Sequence, residues 1–317
     1  MQLSTEVKIT PLERKIHYGD KLVFLGSCFA DEVGTICRSL GFDTLINPFG
    51  VLFNPVSIGN AVERLKSGKT YTHDDVINVG EGEFYCTFEH NTEFWNTSED
   101  ALLANINTKL DTDSQHFKQT KWVIVSLGTA WVYRYMQKSQ IVSNCHKLPS
   151  QYFDRSMLTV DAATKVLNDI VTNLKGKNFI FTVSPLRHLK DGLHENQLSK
   201  ATLLLAVDNV CKANVNAFYF PAYEILLDEL RDYRFYKEDM MHPTAQAVRH
   251  IWEKFCDCAI TDESRLIIKE AEALQTMMRH RPMFPESSQY SIFTKRKEEK
   301  IEEIRKKYPQ VVMENIQ

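Results

Sequence analysis

The chain has 317 residues, with 38 Lys and Arg against 41 Asp and Glu, for a formal net charge of −3. That balance excludes a strongly basic nucleic-acid binder, and 43% hydrophobic content excludes disorder along the whole chain. No run approaches the about 20 apolar residues that span a bilayer, so no membrane partner is expected.

The opening residues, MQLSTEVKITPLERK, lack an apolar core of signal-peptide length, so export is not expected. The seven cysteines are odd in number and scattered, which speaks against a disulfide framework and for a cytoplasmic, reducing setting.

In chain order, Lys21–Leu25 is an apolar run ended by Gly26, the pattern of a buried strand. Ser27 to Leu40 carries Phe29, Val33, Ile36, Cys37 and Leu40 at helical spacing, and Gly41 closes it. Asp43–Ile46 predicts a second strand, leading into the Pro- and Gly-marked loop Asn47–Pro55. A helix is predicted over Ser57–Leu65, a small hairpin around Phe84–Phe88 and a helix over Ala101–Leu110. Trp122–Ser126 is a third buried strand. A helix follows with Ala163, Val166, Leu167, Ile170 and Leu174 on one stripe, then a fourth strand, Asn178–Val183. Asn196–Cys211 reads as helix and Ala217–Phe220 as a fifth strand. Thr244 opens a helix carrying Val248, Ile251, Trp252 and Phe255.

Continuous apolar strands alternating with helices predict an α/β fold, a mostly parallel five-stranded sheet covered on both faces. Ligands gather at the carboxyl ends of such strands. That rule directs attention to Gly26–Cys28, Asn47–Gly50, Ser126–Trp131 and Ser184–His188. After about Ile260 the character changes: Ser264–Arg279 is amphipathic, Pro282–Ser291 reads as a linker, and Lys295–Lys307 alternates both charges. The last stretch predicts a solvated helix with i,i+4 ion pairs. The expected organisation is one domain over 1–260 and a charged helical extension over 261–317, where a second copy of the chain has a surface to meet.

Two segments carry candidate chemistry. Ser27 and Cys28 follow a buried strand at the start of a helix, where free N–H groups favour developing negative charge. That is a place for a nucleophile, and also for a simple Ser N-cap. Asp239 lies three residues before His242, just ahead of a helix. A carboxylate there fixes the imidazole tautomer while the other nitrogen accepts a hydroxyl proton.

Several strings carry a resemblance. GSCFA (Gly26–Ala30), NPFGVLFNP, LGTAWVY (Leu127–Tyr133), NCHK (Asn144–Lys147), SPLRH (Ser184–His188) and EDMMHPT (Glu238–Thr244) resemble the GSCFA domain family, grouped with SGNH-type hydrolases. The resemblance covers about Lys8 to Phe255. It implies a three-layer α/β/α, flavodoxin-like fold and a serine hydrolase with a Ser27, His242 and Asp239 triad. The backbone N–H groups of Cys28 and Gly50 would form the oxyanion hole, and Cys28 is the rival nucleophile.

SGNH hydrolases carry Gly-x-Asn after the third strand, whereas this chain has Gly128-Thr129-Ala130. Loss of one oxyanion donor costs about 3 kcal/mol of transition-state stabilisation. Thr129, Asn47, Asn144 and His146 are the candidate replacements. Arg187 and His188 are placed to bind a substrate oxygen or carboxylate. Phe49, Phe53, Tyr85, Trp95, Trp131 and Tyr133 would suit a sugar face or an acyl chain.

No phosphate loop or dinucleotide fingerprint is present, and Cys256-x-Cys258 lacks a second pair at zinc-site spacing, so no cofactor or metal is expected. The expected activity is hydrolysis of a small or carbohydrate-borne ester. An acyltransferase using the same residues and a non-catalytic binding module are the alternatives.

Overall fold

The computed structural model describes residues 5–316. The five apolar runs become the strands β1 (Leu22–Gly26), β2 (Thr44–Ile46), β5 (Trp122–Leu127), β9 (Asn178–Val183) and β10 (Ala217–Tyr219). Between them in the chain lie the hairpin β3 (Val76–Val79) and β4 (Phe84–Thr87), and a second antiparallel group, β6 (Trp131–Tyr135), β7 (Gln140–Val142) and β8 (Phe153–Met157). The main sheet is parallel throughout, in the order β10-β9-β5-β1-β2. Counting only its own strands this is 2-1-3-4-5, the flavodoxin-like order, whose switch point falls between β1 and β5.

Strand periodicity makes the layers. Leu22, Phe24, Trp122, Ile124 and Ile180 face one side of the sheet, with α1 (Cys28–Ser39), α7 (Ala245–Ala259) and α8 (Asp262–Arg279). Val23, Leu25, Val123, Val125, Phe179 and Phe181 face the other, against α2 (Pro55–Ser67), α3 (Glu99–Gln119), α4 (Val160–Asn173) and α5 (Leu193–Ala213). The result is the three-layer α/β/α sandwich that the sequence pattern predicts. Helix starts are fixed by side-chain caps at Ser27, Asn54, Ser98, Thr159 and Thr244, each accepting a backbone N–H of the first turn.

The differences lie outside the main sheet. The helix expected at Ala101–Leu110 runs to Gln119, because Ser114 and Phe117 extend its buried face. The β6–β8 group lies in a stretch for which the sequence pattern gives motifs but no element. Its β6 reads Trp-Val-Tyr-Arg-Tyr, with Val132 turned inward and Arg134 outward. A short helix, α6 (Ala222–Glu224), runs into a π-turn over Ile225–Glu229.

The C-terminal segment packs on the sheet domain. Ile267, Ile268, Ala271 and Leu274 of α8, Ile304 of α9 (Ser288–Lys307), and Val311 and Ile316 share one hydrophobic cluster with α1 and α7. Val312 N donates to Gly41 O at 2.8 Å, and Gln275 Nε2 to Ser39 O at 3.1 Å, so the segment grips the end of α1. The α9 ion pairs are i,i+3 (Lys300–Glu303 and Arg305–Glu302), joined by Lys300 and Lys307 to Glu270 of α8. The Glu270 carboxyl is held at about 2, first by its hydrogen bond to Lys300.

Leu274 is fully buried at this junction. Leu274→Ala is expected to lower unfolding free energy by about 2–5 kcal/mol through lost burial and a residual cavity. Urea denaturation with an unchanged m-value would confirm it, and a loss below about 1 kcal/mol would show the segment to be loosely attached.

Candidate active site

The junction of β1 with α1 is set by contact with β5. Gly26 sits at φ +129°, and a β-carbon there would lie 2.1 Å from Ser126 O, so only glycine fits. Ser27 N donates to that same carbonyl at 2.9 Å. Ser27 is 1% exposed. Its Oγ lies 2.9 Å from Ser126 Oγ and accepts weakly from Phe29 N at 3.3 Å, acting as the helix N-cap. Among the described residues its hydroxyl makes no hydrogen bond to His242.

Cys28 occupies the first helical position and is half-buried. It lines a cleft of about 320 Å³ that His242 also lines. The other walls come from the β5–β6 turn and β6 (Thr129, Trp131, Tyr133), from Phe53, and from the segment after β9 (Leu186–Asp191). This is the carboxyl edge of the sheet beside the switch point.

His242 is positioned by its own loop. Its Nδ1 lies 2.6 Å from Asp239 Oδ2, while Asp239 Oδ1 accepts the backbone N–H groups of Met241 and His242. These three contacts, the backbone ones first, hold the Asp239 carboxyl at about 2, so it stays an anion through the working range. Among the described residues its Nε2 carries no hydrogen bond. The loop is tied to α1 by Lys237 Nζ on Glu32 Oε1 at 3.3 Å, and Glu32 lies one turn beyond Cys28.

The Cys28 thiol departs from the expectation for a helix N-terminus. Burial pushes it up, Asp31 adds to that, and its own backbone N–H opposes. It is therefore a neutral thiol at rest.

The proposed oxyanion donors divide. The Cys28 N–H, first in α1, has no partner within the helix. Gly50 N is spent on Asn47 O at 2.8 Å, and Thr129 N on Phe53 O at 2.9 Å. Thr129 Oγ1 is engaged too, 3.0 Å from Ser199 Oγ and accepting from Trp131 N. The backbone N–H groups of Gly50 and Thr129 are both spent, which corrects the expectation for Gly50.

Three candidate binders serve the scaffold. Asn47 is buried, with Oδ1 accepting from Gly26 N at 2.8 Å and Nδ2 donating to Asp31 at 2.7 Å. Asn144 donates to His90 O. His146 accepts from Trp95 Nε1 and donates through Nε2 to Thr87 O, and its burial lowers its pKa. Of the aromatics, Phe53, Trp131 and Tyr133 reach the cleft, whereas Tyr85 and Trp95 belong to the β3–β4 hairpin region and Phe49 is core. Arg187 and His188 line the cleft as expected. Burial and the nearby Lys200 pull His188 down to about 4, so it is neutral.

Lys200 is a residue the sequence reading missed. It is 1% exposed, and its Nζ donates to Gly128 O at 2.7 Å and Ser184 O at 2.8 Å, bridging the ends of β5 and β9 beneath the cleft. The signal was available: Lys200, Leu203, Val207 and Val210 lie on one buried stripe of α5. Ser126 and Glu32 were likewise legible only once the strands were in register.

Burial lowers the Lys200 ammonium to about 7. Between about 7 and the unfolded value near 10.4 the unfolded chain holds the extra proton, so this group adds stability as pH rises. The stability of wild type minus that of Lys200→Met, from urea titrations, is expected to grow from pH 7 to pH 10. A pH-independent difference would show that the two states share one Lys200 pKa.

Among the described residues no group of three or more His, Cys, Asp or Glu is placed to hold a metal, and no helix is long and apolar enough to cross a membrane. All seven cysteines are free thiols. A search of curated proteins returned no match. The family model described as GSCFA domain protein, C-terminal domain, matches residues 271–316, which are the end of α8, α9 and the closing turn. The model described as GSCFA family matches residues 21–255, from the first strand to the end of the helix that follows His242, and the chain belongs to that family.

Proposed function

We propose that the protein is an acyl-transfer enzyme that hydrolyses an ester, with Cys28 as nucleophile, His242 as general base and acid, and Asp239 as the group that orients His242. One observation carries this reading: Cys28, and not the neighbouring Ser27, stands in the wall of the cleft that His242 lines. Ser27 can act only by leaving its cap and its contact with Ser126.

In the reaction the thiol proton passes to His242 Nε2 as Sγ bonds to the acyl carbon. The Cys28 N–H and the start of α1 favour the oxyanion. The carbon–oxygen bond breaks, and His242 returns the proton to the leaving alcohol. Water then attacks the thioester, giving its proton to His242, and the departing thiolate recovers it. The resting thiol is neutral, so the rate rests on His242. The aromatic wall of Phe53, Trp131 and Tyr133 suits the acyl chain or a sugar ring. A small ester or an O-acylated carbohydrate is the substrate class this reading favours.

Treatment with 4-nitrophenyl acetate, followed by intact-mass spectrometry, tests it. Wild type and Ser27→Ala are expected to gain one acetyl group that Cys28→Ala lacks. His242→Ala is expected to acylate about 10²–10⁴-fold more slowly. An adduct kept in Cys28→Ala and lost in Ser27→Ala would return the nucleophile to Ser27. No adduct on any protein would favour a binding role on this fold.

A further inference from the structure

Beside the catalytic cleft lies a second one, of about 230 Å³, with Arg231 and Tyr233 on its rim and Leu226 and Leu227 at its base. Arg187 lines both and is the partition between them. Its guanidinium lies 4.0 Å from the ring centre of Tyr236 and 5.5 Å from that of Tyr233. Stacking on neutral rings orients a cation without neutralising it.

Of the other cations nearby, Arg155 pairs with Asp191 and Lys237 with Glu32. Among the described residues neither Arg187 nor Arg231 pairs with a carboxylate. The acid lining the second cleft, Asp232, is engaged by Arg234, whose backbone N donates to Oδ1 at 2.9 Å and whose Nε lies 3.6 Å from Oδ2. Two guanidinium groups on one small concave surface repel each other, and an anion between them removes that cost. The π-turned segment Ile225–Glu229 supplies the base, and π-turns recur at functional sites.

We infer that the second cleft receives an anionic oxygen group of the substrate, a phosphate or a carboxylate, bound by Arg187 and Arg231. Resting on the acyl-transfer reading above, the substrate is then an ester whose alcohol portion bears that anion. Its acyl carbon sits at Cys28, its acyl chain lies along Trp131, and its alcohol passes Arg187 into the second cleft. The planar donor fork of arginine matches either anion.

Calorimetric titration of Cys28→Ala protein with phenyl phosphate, benzoate and phenol at low salt tests this without needing turnover. At least one anion is expected to bind about tenfold or more tightly than phenol, and the tighter one names the group. Adding Arg187→Gln or Arg231→Gln is expected to remove most of that preference, as is raising salt. Arg231 is exposed, so its variant keeps the test clean if Arg187→Gln fails to fold. Equal binding of phenol and both anions, no heat from either anion, or a preference untouched by Arg231→Gln would overturn the inference. Anion preference with no acetyl adduct would instead overturn the catalytic reading and leave the anion site standing.

Discussion

The close approach of two backbones at the carboxyl ends of β1 and β5 is the constraint on which the site depends. A glycine at position 26 lets β1 run against the Ser126 carbonyl, closer than any side chain would allow. The chain then turns at once into α1, with Ser27 as cap and its hydroxyl on Ser126. Because Ser27 is consumed in holding the turn, the next residue is the first that can look outward. The helix N-terminus thus presents a thiol, and the serine becomes part of its mounting. Asn47 locks the arrangement from the other side by bonding both Gly26 N and Asp31.

A second brace shapes the opposite wall. Lys200 ties Gly128 to Ser184, and so fixes the exits of β5 and β9 from which Thr129, Arg187 and His188 reach the cleft. Burying an ammonium with no carboxylate is costly. The structure limits the cost by lowering the proton affinity of the group and by giving two of its N–H bonds to carbonyls. The cations at the clefts are held in different ways: Arg155 pairs with Asp191 and lies over the Trp131 ring, whereas Arg187 stacks on Tyr236.

The main sheet was legible in the sequence because its five strands are continuous apolar runs that only a doubly covered sheet can bury. The position of the site was legible for the same reason, since Gly26, Gly128 and Ser184 all mark strand ends. The order of partners within the site was not. Ser27 and Cys28 are adjacent, and which of them faces His242 depends on the β1–β5 register, a non-local quantity. Gly50 and Thr129 looked like donors because sequence shows that an N–H exists, not whether a carbonyl such as Phe53 O already holds it. Asn144 and His146 looked like site residues for their chemistry, and packing spends them on the β3–β4 region. The C-terminal charges suggested an appendage because α9 has a thin apolar stripe, Ile304 with Ile301, whose partners lie far away in α8 and at the end of α1.

The thiol environment bears on how the proposed acyl-transfer site would respond to its substrate. Burial and Asp31 hold Cys28 protonated, which keeps it from reacting with oxidants and stray electrophiles, since the thiolate is the reactive form. On the acyl-transfer reading proposed above, activation then needs His242, whose loop is attached to α1 through Lys237 and Glu32 and is otherwise half-exposed. On that reading an ester seated in the cleft would exclude water from between Cys28 and His242, and exclusion of water strengthens every charge interaction there. Proton transfer is favoured only once imidazolium and oxyanion can stabilise each other. In that mechanism a neutral resting thiol beside a base already fixed by a permanent carboxylate would couple reactivity to occupancy without requiring any change in the fold.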